Sequence, residues 1–144
     1  MLILRKGGAR MKKALSILLV VLSIVSIFSI AAAAVEPRWN NAATANVSLD
    51  INSSGMANVV LNCAGITNVT TNITAETKLE RKWGILWLDV DGAEWTDTTN
   101  KVYLSTGHYF QLSKTGTYRA TTKFTVSGTG GSNDSITVRS EDTY

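Results

Sequence analysis

The sequence predicts an all-β fold: a single antiparallel β-sandwich of about seven strands over residues 35–144, preceded by an N-terminal signal helix. Three observations carry that expectation. Apolar and polar residues alternate with period two through most of the chain after Ala34. No later stretch has helical periodicity. Clusters of Gly, Asn and Ser punctuate the runs every roughly 8 to 12 residues.

The leader comes first. Lys12 and Lys13 precede an uncharged run, Ala14 to Ile30, that ends in the small residues Ala31 to Ala34, the three parts of a secretory signal peptide. Ala32-x-Ala34 fits the cleavage pattern and Pro37 stops a helix just beyond it, so the mature chain is expected to begin at or near Val35. Left uncut, the 22 uncharged residues from Ala14 to Val35 are long enough to anchor the chain in a bilayer. Met11 offers an alternative start, with residues 1–10 as an upstream extension.

Each strand then has its own signal. Val47, Leu49 and Ile51 alternate with Asn46, Ser48 and Asp50, and Asn52-Ser53-Ser54-Gly55 supplies turn chemistry. Ala57, Val59, Leu61 and Cys63 share the next face, up to Ala64-Gly65. In the run from Val69 to Leu79, residues Val69, Thr71, Ile73, Ala75, Thr77 and Leu79 share one face. Ile85 to Val90 reads as a short apolar strand, and Asp91-Gly92 opens a polar connection to about Asn100. Lys101 to Leu104 and His108 to Leu112 form one or two strands broken near Ser105-Thr106-Gly107. Tyr118, Ala120, Thr122, Phe124 and Val126 mark the cleanest strand. Ser127 to Asn133 is a loose Gly- and Ser-rich loop, and Ser135 to Ser140 returns through Ile136 and Val138.

Removing the leader changes the charge argument. The full chain carries a formal charge of +3, but Val35 to Tyr144 holds 9 basic and 11 acidic residues, a formal charge of −2. Nucleic-acid binding needs a basic face on the folded domain, so it is not expected. The lone Cys63 has no mate within the chain, so stability must come from packing. It reads as a small buried apolar residue, with an intermolecular disulfide as the alternative.

Gly116-Thr117-Tyr118 resembles the Gly-x-Tyr step that opens the sixth strand of immunoglobulin-like sandwiches, where the tyrosine hydroxyl ties a corner to nearby backbone. Lys114 and Ala120 depart from the antibody pattern, which has Asp and the second disulfide cysteine there; the resemblance therefore implies the architecture without the disulfide. The mature chain also resembles a loose group of small exported proteins of Gram-positive bacteria. The shared features are Pro37-Arg38-Trp39, Leu79 to Lys82 followed by Trp87 and Trp95, Gly116 to Arg119, and Tyr144. That resemblance implies an exported immunoglobulin-like sandwich and no particular activity.

Enzyme chemistry finds few residues to work with. His108 is the single histidine, alternates with Phe110 and Leu112 on an expected inward face, and has no nucleophile motif beside it. One His and one Cys are too few for zinc, and no catalytic residue or cofactor is expected. Asp89, Asp91 and Glu94 around Gly92 are the one candidate calcium set, although their spacing misses the helical calcium-loop pattern and favours a solvated turn. Trp83, Trp87 and Trp95 are the candidate ligand-binding residues, since exposed rings stack on sugars; core and rim packing is the competing role. Trp83 and Trp87 share a face if the stretch is a single strand, unless Gly84 interrupts it. The expected function is a secreted, non-enzymatic surface or interaction module, with a carbohydrate-binding module as the alternative. Its partner would be a protein or polysaccharide at the cell surface, and membrane contact would come only through an uncleaved leader.

Overall fold

The computed structural model describes residues 38–144; the signal-peptide readings on Lys12, Lys13, Ala14 to Ile30, Ala32 and Ala34, and the alternative start at Met11, lie outside them. Within the described residues, seven strands and no helix are formed: β1 (Ala42–Ile51), β2 (Met56–Gly65), β3 (Thr70–Trp83), β4 (Leu86–Thr99), β5 (Tyr103–Gln111), β6 (Thr117–Gly128) and β7 (Asp134–Thr143). They pair antiparallel in two sheets, ordered β1-β2-β5 and β4-β3-β6-β7.

The period-two signal becomes a core. Val47, Leu49 and Ile51, then Ala57 to Cys63 at alternate positions, then Ile73, Ala75 and Leu79, then Tyr118, Ala120, Phe124 and Val126 are all buried in one cluster between the sheets. Thr77 and Thr122 lie inside the same layer and bond each other, Oγ1 to Oγ1 at 2.9 Å, which removes the cost of burying two hydroxyls. Cys63 is fully buried in this cluster, as its alternation with Leu61 and Val59 requires.

Three boundaries differ from the sequence expectation. Asp91 to Asn100 was expected as a connection, but β4 runs on through it to Thr99. As an edge strand with a wet outer face, it needs few apolar residues to hold its place. Its apolar alternation is broken by a bulge: Lys78 pairs with Glu94 and Glu80 with Asp89, so Leu79 alone opposes Val90, Asp91, Gly92 and Ala93. Gly92 supplies the positive φ of 76° that the bulge uses. β5 is unbroken, Gly107 keeping register opposite Val60. Thr71 does not share the buried face of Ile73, because the β3–β6 register shifts between Thr70 and Asn72.

Side chains close both open sides of the layered structure. Along β1, three polar residues of β7 take up main-chain donors. Asp134 accepts from the amides of Asn40, Asn41 and Ala42 at 2.7–2.9 Å, Ser140 from Leu49 at 3.1 Å and Asp142 from Ile51 at 2.6 Å. An edge strand whose N–H groups are occupied in this way offers less to an intruding strand. On the other side, Asp97 of β4 meets His108 of β5 at 2.7 Å.

Candidate functional site

β3 outruns its partner β6. The β3–β6 pairing ends at Arg81↔Tyr118, while β3 and β4 continue through Lys82↔Trp87 and Trp83↔Leu86. Gly84 and Ile85 make the two-residue turn. Gly84 takes φ 59°, the left-handed value that lets a tight hairpin follow the strand twist. The result is a hairpin tip that projects past the sheet. Among the described residues, its apolar side chains have no neighbour to cover them: Ile85 is 94% exposed, Trp83 65%, Leu86 51% and Leu88 49%. No charged residue lies between Lys82 and Asp89.

Residues directly opposite in a strand pair share a face, so Trp83, Leu86, Leu88 and Arg81 lie on one side of the hairpin and Lys82 and Trp87 on the other. Gly84 and Ile85 thus separate Trp83 from Trp87, which do not share a face. Behind Trp83 and Leu88 a cleft of about 340 Å³ opens toward Val90, Phe110, Leu112 and Tyr118. The loop that borders it is pinned at two points: the Arg81 guanidinium donates to Thr115 O at 2.8 Å, and the Tyr118 hydroxyl donates to Lys114 O at 2.6 Å.

Trp87 serves a different purpose. The Arg119 guanidinium lies over its ring, 4.2 Å from the centroid, and Lys82 Nζ stands 5.8 Å away. The same guanidinium donates through Nε to Glu80 Oε2 at 2.9 Å, and Thr121 Oγ1 donates to that oxygen at 2.6 Å. Burial pushes the Glu80 carboxyl up, but the bonds from Thr121 and Arg119 and the charges of Arg119 and Lys78 outweigh it, holding the group below its ordinary value. Trp87 therefore roofs a buried ion pair on the outer face of the four-stranded sheet. Trp95 points between the sheets, stacked on His108 at 4.8 Å between ring centroids and edge-on to Phe110 at 6.4 Å. Of the three tryptophans, only Trp83 offers a largely open ring.

The acidic residues of the bulge do not converge. Asp89 Oδ1 receives Lys78 Nζ at 2.6 Å, Asp91 is exposed on the bulge, and Glu94 is exposed opposite Lys78. Among the described residues, no three His, Cys, Asp or Glu side chains are placed to hold a metal ion. His108 has Asp97 as its partner and a tryptophan ring across its face, an arrangement that holds two sheets together.

Sequence reasoning put Ile85 in a strand and treated Leu86 and Leu88 as ordinary apolar strand residues. The available signal was the uncharged run Trp83-Gly84-Ile85-Leu86-Trp87-Leu88, with a glycine at its second position. The roles of Asp97, Arg119 and Asp134 had no local signal, because each partner lies on another strand or in the segment that leads into β1. Among known proteins, the chain matches no protein-family model and no curated sequence.

Proposed function

We propose that this chain is an exported, non-enzymatic interaction module with an immunoglobulin-like fold, and that it meets its partner at the cell surface through the β3–β4 hairpin tip. Export rests on the leader at Lys12 to Ala34 and on the resemblance to exported Gram-positive proteins. The fold reading is supported by the three-plus-four strand order, the sheet of β1, β2 and β5 facing that of β4, β3, β6 and β7, and by the Tyr118 to Lys114 corner bond on the sixth strand.

One observation carries the functional reading: the three most exposed aliphatic side chains among the described residues, Ile85, Leu86 and Leu88, stand together with the exposed Trp83 on a projecting hairpin, where burial would have been the default. Their position also suits presentation. Asn40, Asn41 and Ala42 lie beside Ser132 and Asp134, next to the β6–β7 loop, while the tip lies at the far end of β3. Fourteen residues at about 3.3 Å each put roughly 40 Å between them. The carbohydrate alternative draws on Trp83 alone, because the Arg119 guanidinium occupies a face of Trp87 and Trp95 is packed between the sheets.

Binding of the purified domain to cell-envelope fractions, compared among the parent, Ile85→Asp and a distant exposed control, Tyr109→Ala, tests this. Loss in the hairpin variant alone is the expected result. Equal binding by all three would overturn the reading. Competition by soluble polysaccharide, together with loss in Trp83→Ala, would favour the sugar alternative.

A further inference from the structure

We propose that the hairpin tip inserts into the interface of a lipid bilayer, with Ile85, Leu86, Trp83 and Leu88 entering the headgroup–acyl boundary. This rests on the reading of the tip as the contact surface and names the partner's chemistry. The side chains are graded along the hairpin as a membrane interface is graded. The aliphatic Ile85 and Leu86 are outermost, Trp83 stands beside them, and Trp87 with Lys82 forms the next pair back. Tryptophan favours the headgroup level and a lysine stem can lie along apolar surface while its charge stays in water. From the turn to the Arg81↔Leu88 pair the tip is about 10 Å deep at 3.3 Å per residue, matching the 5–10 Å to which interfacial elements sink.

Charge and area both favour lipid over a protein partner. Asp89, the first acid behind the tip, is paired with Lys78 at 2.6 Å, while Lys82 is exposed and, among the described residues, paired with no acid. The nearest free charge is therefore positive, complementary to lipid phosphate. A stable protein interface takes about 20–30 residues a side, whereas the projecting apolar surface here is four side chains on a convex turn. A fluid bilayer needs no matching shape.

Residues 38–144 contain all seven strands and the core cluster between their sheets, and no buried side-chain N or O among them lacks a partner, so this segment is the material for the test and excludes the apolar leader. It is mixed with vesicles of phosphatidylcholine and phosphatidylglycerol at 3:1 by sedimentation, with brominated lipid as a quencher of tryptophan emission. The expected result is co-sedimentation and quenching of the parent, at least tenfold weaker partitioning of Ile85→Asp and Leu86→Asp, and unchanged partitioning of Tyr109→Asp. Thermal melts check that each variant folds; if either hairpin variant does not, Ile85→Ser replaces it. No binding at millimolar lipid, or binding that the hairpin variants leave intact, overturns the proposal. If vesicles fail but envelope binding still depends on Ile85, lipid insertion falls and the interaction-module reading stands. If both assays are blind to Ile85, both fall. Self-association lost in Ile85→Asp without vesicle binding assigns the tip to a second copy and overturns the lipid proposal.

Discussion

Asp97 and His108 bridge the two sheets at their β4/β5 side: Oδ2 of the carboxylate lies 2.7 Å from Nε2 of the imidazole, and the Trp95 ring stacks on the same imidazole. Two contacts thus meet on one histidine, and they can be separated. His108→Phe keeps an aromatic face for Trp95 and removes the hydrogen bond, at an expected cost of about 1 kcal/mol. His108→Ala removes both and should cost about 2 kcal/mol. Urea denaturation measures the two; equal losses would mean that the stack contributes nothing.

Acid should loosen the β1–β7 side. Burial pushes the Asp134 carboxyl up, but three backbone N–H donors from Asn40, Asn41 and Ala42 outweigh it and hold the group below its ordinary value. Its folded pKa is lower than the unfolded value of about 4, so the stabilisation is complete above that pH and lost as pH falls through the folded pKa. Asp134→Asn is expected to cost about 2 kcal/mol at pH 7, with the deficit against the parent shrinking below about pH 4. Urea midpoints at pH 7, 4 and 3 follow it, and a deficit constant across that range would contradict the assignment.

Arg119→Ala would leave Glu80 buried without its guanidinium and remove the cover from Trp87. A buried carboxylate left with only the Thr121 hydroxyl and the more distant Lys78 makes this costly, about 3 kcal/mol. Arg119→Lys keeps the charge but not the flat stack or the Nε bond, so it should recover only part of the loss. Full recovery would reduce the relationship to simple charge pairing.

Burial pushes the Cys63 thiol up to about 11. A thiol that is both buried and protonated should resist an aromatic disulfide reagent at pH 8 in the native chain and react at once in denaturant. A non-reducing gel of the native protein is expected to show a monomer. Prompt native labelling would mean that the core opens at β2.

The tryptophans should differ in access to solvent. Acrylamide quenching of the parent is expected to contain one strongly quenched component that Trp83→Phe removes, while Trp95, sandwiched against His108 and Phe110, stays shielded. Unchanged quenching in that variant would contradict the exposed tip.

Alternation alone told which side chains of five strands enter the core, because a strand sends successive residues to opposite faces whatever it pairs with. Val47 to Ile51, Ala57 to Cys63, Ile73 to Leu79, Tyr118 to Val126 and Ile136 with Val138 all kept the inward face assigned to them, and His108 stayed on the face of Phe110. The bulge at Val90 to Ala93 was hidden for the opposite reason: four residues against one is a property of a pair of strands and leaves no period in either.

The candidate site divides in the same way. Residue type made the Trp83 to Trp95 region conspicuous, but whether those rings share a surface depends on a turn at Gly84 and a register with Lys82, Thr77 and Leu86. The sequence by itself determined the all-β character of residues 38–144, their inward residues and the burial of the one thiol, since these follow from local alternation and from the cost of wetting apolar surface. Only the tertiary structure decided that β3 and β4 project beyond β6, that Trp87 covers an ion pair, that Trp95 lies between the sheets and that Ile85 stands in solvent. Each of these depends on contacts between residues far apart in the chain, and no local pattern encodes where one strand ends relative to its neighbour.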